Sequence, residues 1–349
     1  MTDSKKNTIQ RILFKMLMFL GLLAVLDGIY YVTLYPKDLK ENCTLMELSQ
    51  RVKQGDDIVY LGESSNHTYS DDDTDIRFIC VMIDDLLQSH HVANLSKDAC
   101  HAGIYYDILR NIPHKSDVKT AIVTVNMRSF TSEWIHSNLE TPLRKEQLFM
   151  KKAPALYKRM LLAFKAYPHW TEEERADIVF KGLIGQTFTL PHPFPYRNAN
   201  DWDYAIAESQ MLYDGTHPSA DTLAIACHYI KDFACQLDVK NPRIKDLDKI
   251  VKLCKRRGWQ PVFNILAENV DEINSLCGPD LIHLMEQNTQ FIVHRYEKEG
   301  VIVVNNLKAV RNDDFRDRDF PTEHYKQTGR MTIAKNVAEA ISTNQSPRE

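Results

Sequence analysis

The stretch at residues 57–69 places hydroxyl side chains directly after an apolar run. Residues 58–61 are Ile-Val-Tyr-Leu, a composition typical of a short buried strand. Gly62 ends the run and permits a sharp turn, and Ser64 and Ser65 follow at once. Ligands of open α/β sheets bind at the carboxyl ends of the strands. The sequence therefore predicts that one of these serines is displayed at the mouth of a site, where its hydroxyl is a candidate nucleophile.

Four further apolar runs predict the strands that must stand beside this one. They lie at residues 91–96, 119–125, 260–266 and 301–305. Helical patterns separate most of them, and this alternation predicts a parallel sheet with helices on both faces. The segment 134–219 does not alternate in this way. We interpret it as an insertion over the strand ends that selects substrate, or as a structural helical lobe.

The serine turn carries a resemblance to a known family. Gly62-Glu63-Ser64 resembles the Gly-Asp-Ser block of the SGNH (GDSL-type) hydrolases, with glutamate in place of aspartate. The resemblance extends over roughly residues 57–341, apart from the insertion. It implies an α/β fold of three layers, flavodoxin-like, with a five-stranded parallel sheet. It also implies that Ser64 is the nucleophile and that its amide helps to form an oxyanion hole.

Two further positions match the order of the family's blocks. Gly103 follows the second predicted strand, and Asn126 ends the third, where Thr-Val-Asn-Met keeps only the asparagine of the family's Gly-x-Asn-Asp block. The resemblance implies that the Gly103 amide and the Asn126 side chain donate to the oxyanion. Without it, a glycine and an asparagine at these places are also ordinary turn residues.

A serine nucleophile needs a base, which is usually a histidine oriented by a carboxylate. The family supplies both from an Asp-x-x-His block after its last strand. His324 stands in that place, before a predicted terminal helix, but Pro321 occupies the position of the aspartate. Asp319 and Glu323 are the local candidates for the orienting carboxylate. The alternative is a Ser–His dyad.

A literal Asp-x-x-His occurs elsewhere in the chain. Asp214-Gly-Thr-His217-Pro lies before two of the five predicted strands, so its use as the base would require a permuted order. We favour His324 and interpret the 214–217 segment as a turn that leads into the next helix.

The N-terminus predicts a membrane anchor. Lys5, Lys6, Arg11 and Lys15 precede an apolar stretch, and residues 12–35 have the length of one membrane span. The positive charge in front predicts a cytoplasmic tail at residues 1–11 and places the rest of the chain outside the cytoplasm.

Two details of this segment leave alternatives open. No A-x-A-like cleavage site follows, which favours an uncleaved anchor over a cleaved signal peptide. Asp27 is costly within a span, so we expect it near the outer interface or facing a partner helix.

Composition excludes several classes of protein. The chain has 349 residues, 44% hydrophobic and 26% charged, which is typical of a globular protein. A net charge of −4 gives no basic footprint for nucleic acid. The seven cysteines form no CxxC pair, so we expect buried free thiols rather than a zinc site or a disulfide framework. The phosphate-binding motifs GxGxxG and GxxxxGK[ST] are absent, and we predict no cofactor.

These observations combine into one functional prediction and one rival. An anchor joined to an SGNH hydrolase-like domain at residues 36–349 resembles the DltD-like branch, whose members work with membrane-bound O-acyltransferases on cell-surface polymers. We expect a single-pass protein of the bacterial inner membrane with a periplasmic serine esterase or O-acyltransferase domain. Its substrate would be an acyl ester of an envelope glycan. The rival is a non-catalytic protein of the same fold that binds glycan or scaffolds an O-acyltransferase.

Overall fold

The computed structural model describes residues 3–184, 220–317 and 320–345. The chain divides into two compact units. The first comprises Met1–Glu47 and Thr141–His169, and the second comprises Leu48–Glu140 and Trp170–Glu349.

The second unit is built on a five-stranded sheet in which every pairing is parallel. Its strands are β1 (Ile58–Leu61), β2 (Val92–Asn94), β3 (Thr120–Val125), β4 (Gln260–Ile265) and β5 (Ile302–Asn305). The spatial order is β2-β1-β3-β4-β5, the flavodoxin-like order. The chain reverses its direction of winding between β1 and β3, so their carboxyl ends flank the crevice where such sheets bind ligands.

Helices cover both faces of this sheet. The helices of the second unit are α4 (Ile79–Leu87), α5 (Ala102–Asn111), α6 (Ser132–Ile135), α9 (Glu172–Ile184), α10 (Ala220–Phe233), α11 (Pro242–Arg257), α12 (Val270–Cys277), α13 (Pro279–Glu297) and α14 (Gln327–Gln345). Helices α4 and α14 pack together on one face, and α5 packs on α11 on the other. The predicted fold class is confirmed: a parallel α/β sheet between two helical layers.

Strand side chains alternate between these two layers. Ile58, Tyr60 and Ile122 join the core under α4 and α14, while Phe263 packs edge-to-face on Tyr296 of α13 on the other side. All residues of β1 and β3 are buried. Continuous burial is expected of strands covered on both faces, and it explains why these runs are uniformly apolar.

The first unit contains the N-terminal helix and four shorter helices. They are α1 (Asp3–Thr33), α2 (Tyr35–Asn42), α3 (Thr44–Gln50), α7 (Glu140–Met150) and α8 (Ala155–Ala163), of which α3 and α7 cross the unit boundaries. Within α1, Asn7–Thr33 is long and apolar enough to span a membrane, and its most apolar window is unburied. A membrane anchor and a signal sequence both have this character.

The predicted insertion and the cysteines can be located in part. The described part of residues 134–219 is helical up to Ile184, and residues 185–219 lie outside the described residues, together with His217. The prediction of buried free thiols is confirmed at the cysteines that the structure describes, which are Cys43, Cys80, Cys100, Cys235, Cys254 and Cys277.

Candidate active site

Ser64 begins a short 3-10 turn, Ser64–Asn66, just beyond the end of β1. Its hydroxyl oxygen lies 2.9 Å from Nε2 of His324 and 3.0 Å from Oε2 of Glu63. Ser65 is fully buried. The structure thus resolves the choice between the two serines by geometry, since only Ser64 lines the cleft and meets a histidine.

Gly62 and Asn66 fix this turn. A Cβ at Gly62 would lie 2.7 Å from the Tyr60 ring and 2.8 Å from Oγ of Ser96, so only glycine fits. Asn66 is buried, and its side chain accepts from the Cys80 amide and donates to Oγ of Ser96. These bonds tie the turn to the start of α4 and to the loop after β2. They hold the Ser64 hydroxyl in place before any substrate binds.

His324 is oriented by Asp317. The Nδ1 atom of His324 lies 2.6 Å from Oδ2 of Asp317, and the same oxygen accepts from the Thr322 hydroxyl at 2.9 Å. The side chains of His324 and Asp317 are 20% and 31% exposed, so the pair lines the cleft without being sealed from it. Serine, histidine and aspartate form one continuous hydrogen-bonded chain, the arrangement that activates a serine hydroxyl.

A closed loop brings Asp317 to His324. Phe315 and Tyr325 form an antiparallel bridge, and the Arg316 amide donates to the His324 carbonyl at 2.8 Å. The Tyr325 hydroxyl donates to the carbonyl of Ala267, which follows β4. The bridge therefore sets the two sides of the loop opposite each other beside the sheet edge, and residues seven apart in sequence can meet.

Of the two carboxylates predicted for this role, Glu323 does not fill it. Glu323 points away from the imidazole: both of its oxygens accept from the guanidinium of Arg128. Both nitrogens of His324 are already engaged by Asp317 and Ser64. The assignment of Glu323 was therefore wrong, and the dyad alternative is not what the geometry shows. Asp319 lies outside the described residues.

Glu323 instead anchors the histidine loop. Arg128 follows β3, is buried, and also donates to the Pro321 carbonyl at 2.6 Å. Its guanidinium lies over the ring of Trp134, 4.5 Å from the centroid. One arginine thus joins the end of β3 to the segment just before His324, so Arg128 and Glu323 position the base without touching it.

Buried carboxyl groups surround Arg128. Burial and the nearby charge of Glu323 raise the pKa of Glu63, which touches the serine hydroxyl. Burial raises the pKa of Glu268 far above its usual range. Burial also raises the pKa of Asp232 to about 7, although Arg128 opposes the rise. A carboxyl group that stays protonated near neutral pH lowers the cost of packing so many acids behind the nucleophile.

Asn126 stands at the end of β3, as predicted, and lines the cleft with Ser64. Its Oδ1 accepts from the Arg128 amide at 2.9 Å, which caps the short turn Met127–Phe130. With the oxygen fixed in this way, the amide nitrogen is the end of the side chain left for another acceptor. Asn126 can therefore serve as a donor in the cleft.

Gly103 does not reach the cleft. It lies in the first turn of α5, is buried, and its amide donates to Nδ1 of His101 at 3.1 Å. A Cβ there would lie 2.7 Å from Oδ2 of Asp246 in α11, so the glycine permits two helices to pack closely. The prediction that its amide serves the oxyanion is wrong in this structure, because a helical-packing role accounts for the residue.

Ala99, in the turn after β2, lines the cleft that Gly103 does not reach. The turn after β2 is closed by the Cys100 amide, which donates to the Lys97 carbonyl, and the Lys97 amide donates to the carbonyl of Gly62. Ala99 has a φ of 58°, a left-handed conformation that is uncommon for alanine. Strain of this kind concentrates at functional sites. The positive φ could not be read from the sequence, since alanine gives no hint of it.

The cleft itself has a volume of about 280 Å³. Its lining combines the reactive groups with apolar side chains, namely Trp134, Leu139 and Phe320. A larger groove of about 590 Å³ lies between α11 and α13. The residues lining that groove include no serine and none that follows the carboxyl end of a strand, so the smaller cleft is the candidate site.

Comparisons with known proteins add little to this geometry. No protein-family model matches the sequence, and no curated protein matches it. Among solved structures, the chain is similar to the lipase/acylhydrolase from Enterococcus faecalis, with 8% identity and a TM-score of 0.36. The match covers 84% of this chain and 99% of that one. The class therefore rests on this chain's own features: a doubly wound α/β sheet with a Ser64–His324–Asp317 chain at its switch point.

Proposed function

We propose that the protein is a membrane-anchored serine esterase or O-acyltransferase of the SGNH type, acting on acyl esters of an extracytoplasmic envelope glycan. The observation that carries the proposal is the hydrogen-bonded chain from Ser64 through His324 to Asp317, with distances of 2.9 and 2.6 Å. The apolar helix Asn7–Thr33 and the positive charge in front of it support an anchor with the catalytic unit outside the cytoplasm.

The chain of hydrogen bonds accounts for the first half of the reaction. Asp317 accepts from Nδ1–H of His324, so the lone pair of Nε2 faces the Ser64 hydroxyl. Oγ attacks the acyl carbonyl carbon while its proton passes to Nε2. The carbonyl π electrons move to oxygen, and the tetrahedral intermediate then expels the alcohol oxygen, which takes the proton from Nε2. The products of this half are the free alcohol and an acyl-Ser64.

The second half repeats these steps with a new acceptor. A hydroxyl group gives its proton to Nε2 of His324 and attacks the acyl-enzyme, and collapse of that intermediate restores the Ser64 hydroxyl. Water as acceptor makes the protein an esterase, and a sugar hydroxyl makes it a transferase. A membrane-bound O-acyltransferase is the partner that we propose supplies the acyl group.

The oxyanion formed in each half needs donors in the cleft. We assign the backbone amide of Ala99, the side-chain amide of Asn126 and the backbone amide of Ser64. The left-handed turn at Ala99 and the fixed Oδ1 of Asn126 support this assignment. Removal of one such donor typically lowers the rate by ~10²–10³.

Covalent labelling with a fluorophosphonate probe tests the proposal directly. The probe reacts only with an activated serine. We expect the solubilised wild type to be labelled and both Ser64→Ala and His324→Ala to lose the label. Ser129→Ala is the matched control, because Ser129 lines the same cleft but donates its hydroxyl to the Asn126 carbonyl.

Each result has a defined meaning. Labelling that persists in Ser64→Ala and vanishes in Ser129→Ala would refute the assignment of the nucleophile. A folded wild type that is not labelled would favour the non-catalytic alternative, a protein that binds glycan or scaffolds an O-acyltransferase. Transfer of acyl groups to added sugar acceptors, measured against hydrolysis, then separates the two enzymatic activities.

A further inference from the structure

Helix α8 carries an apolar face that no described residue of the first unit covers. Tyr157, Met160 and Phe164 are 51%, 46% and 76% exposed. Their spacing of three and four residues places them on one side of the helix. On the opposite side, Ala155 and Lys158 are buried. An exposed apolar stripe of this kind marks an interaction surface.

The buried side of α8 is fastened to the end of the anchor helix. The Leu156 amide, in the first turn of α8, donates to Oδ1 of Asp27 at 2.6 Å. Lys158 donates to the Tyr35 hydroxyl at 3.0 Å and to the Phe149 carbonyl at 2.9 Å. These bonds explain the aspartate in an apolar helix: its partner is the amino-terminal end of α8, where a negative charge is favoured.

The part of α1 that α8 contacts indicates how deep α8 lies in the membrane. Every side chain of α1 from residue 7 to residue 22 is exposed, whereas Leu23, Asp27 and Tyr30 are partly or fully covered. Twenty residues of helix cross the ~30 Å of a hydrocarbon core, so the 27 residues of Asn7–Thr33 exceed it by about two turns. Tyr30, Tyr31 and Tyr35 stand at this far end, where aromatic side chains mark the membrane interface.

The positive charges on either side of α8 are also typical of the membrane interface. Lys151 and Lys152 precede the helix and Lys165 follows it, and all three are exposed. Apolar side chains flanked by lysines are the signature of a helix that lies in the plane of a membrane, ~5–10 Å into the headgroup boundary. A protein partner would not require this combination of depth and flanking positive charge.

We propose that α8 is an interfacial helix that inserts Tyr157, Met160 and Phe164 into the phospholipid headgroup region of the membrane that α1 crosses. The proposal rests on the anchor in the proposed function but not on the serine chemistry. The first unit would then contact the membrane through two elements: the span α1, and α8 lying in the surface of the membrane.

Depth-dependent fluorescence quenching tests the proposal in the full chain. The protein is reconstituted in vesicles of phosphatidylethanolamine and phosphatidylglycerol whose acyl chains are brominated near the glycerol or near the methyl end. The probe is Phe164→Trp, an exposed aromatic replaced by another, and the signal of the unsubstituted protein is subtracted. Leu17→Trp, within the span, is the positive control. Val239→Trp, an exposed apolar position in the second unit, sets the quenching that exposure alone produces.

The outcomes separate the interfacial helix from the anchor. We expect Leu17→Trp to be quenched most by deep bromines, and Phe164→Trp to be quenched by shallow bromines at least roughly two-fold more than Val239→Trp. Quenching of Leu17→Trp with Phe164→Trp at the level of Val239→Trp would refute the interfacial helix and leave the anchor intact. Absence of quenching at Leu17→Trp would refute both, while labelling of Ser64 would be unaffected.

Discussion

Two histidines in the second unit pair with carboxylates at similar distances, and their surroundings differ. His324 contacts Asp317 through Nδ1 and Ser64 through Nε2, at the edge of the cleft. His101 lies 2.9 Å from Glu140 through Nε2, with both side chains only 3% exposed. Its Nδ1 accepts from the Gly103 amide at the start of α5.

These contacts require opposite tautomers. Asp317 holds the proton of His324 on Nδ1, so the lone pair of Nε2 is available to the serine hydroxyl. His101 must keep its lone pair on Nδ1 for the backbone amide and its proton on Nε2 for Glu140, which also binds Arg243 at 3.1 Å. A histidine–carboxylate contact therefore does not define a base. The group on the other ring nitrogen decides whether the imidazole can accept a proton from substrate chemistry.

We expect the largest losses of activity from substitution of Ser64 and His324. Ser64→Ala removes the proposed nucleophile and His324→Ala removes the imidazole that takes its proton, so each should lower kcat/KM for an activated ester by ~10⁴–10⁶. The two losses should not add, because the residues act as a unit. Hydrolysis of p-nitrophenyl acetate by the single and double variants measures this. A double variant markedly slower than either single variant would contradict the shared role.

Asp317→Asn should lower kcat/KM by ~10²–10⁴, since the side-chain NH₂ of asparagine can donate to Nδ1 of His324 and so permits the wrong tautomer. Asp317 is part-exposed, so the substitution should leave the thermal midpoint almost unchanged. The matched substitution is Glu323→Gln, which removes the charge that pairs with buried Arg128 and should lower the thermal midpoint. Because Glu323 does not touch His324, its loss should lower kcat/KM less than Asp317→Asn does. Equal kinetic losses in the two variants would restore Glu323 as a candidate for the orienting carboxylate.

The contrast between Asp317 and Ser64 shows what the sequence could reveal. Ser64 and Asn126 each stand just beyond a strand that an apolar run predicts, and His324 lies between the last strand and the terminal helix. Parallel strands bring their carboxyl ends to one edge. Local pattern was sufficient to predict the strand count and the helical layers, whereas these three residues were singled out by the order of the blocks that resemble the SGNH hydrolases.

Asp317, Ala99 and the role of Glu323 depend on information that local pattern lacks. Asp317 reaches the imidazole because a single bridge closes the loop between Phe315 and Tyr325. Ala99 is distinguished by a left-handed backbone angle that alanine does not indicate, and Glu323 pairs with an arginine 195 positions away in the sequence. The first is a local conformation and the second a tertiary contact, and neither is specified by the surrounding sequence.

His101→Ala should affect stability and spare the chemistry. Alanine has no acceptor for the Gly103 amide, so the substitution removes the N-cap of α5 and one buried partner of Glu140, and we expect the free energy of unfolding to fall by ~1–3 kcal/mol. Urea denaturation measures the loss, and kcat/KM of the folded variant should remain within a few-fold of wild type. A catalytic loss as large as that of Asp317→Asn would mean that the buried pair is coupled to the cleft.

Glu63→Gln should alter how activity depends on pH, with kcat/KM differing from wild type by a few-fold at the alkaline end. Burial and the charge of Glu323 raise the pKa of Glu63. The protonated acid leaves the Ser64 proton to His324, whereas the carboxylate formed as pH rises competes with His324 for that proton. Activity of the wild type should therefore decline as pH rises through this raised pKa. Glutamine resembles the protonated form, so the ratio of variant to wild-type kcat/KM should increase with pH. A ratio independent of pH would show that Glu63 does not compete.

A third histidine–carboxylate pair, His90 with Asp57, should have the smallest effect on stability and none on activity. Nδ1 of His90 lies 2.7 Å from Oδ2 of Asp57, and the His91 amide donates to the other oxygen at 3.0 Å. Burial opposes ionisation of Asp57, but these hydrogen bonds and the attraction of His90 outweigh it and lower its pKa.

A lowered carboxyl pKa contributes stability that is present above the unfolded pKa of about 3.9 and is lost as pH falls through the folded value. His90→Asn removes one of its causes and leaves the His91 amide in place. We therefore expect a loss of less than ~1 kcal/mol near pH 5, a smaller loss as pH falls below 3, and no change in kcat/KM. Urea denaturation at both pH values checks the sign. A larger loss at the acid end would mean that His90 stabilises the fold through packing, so that its contact with Asp57 is incidental.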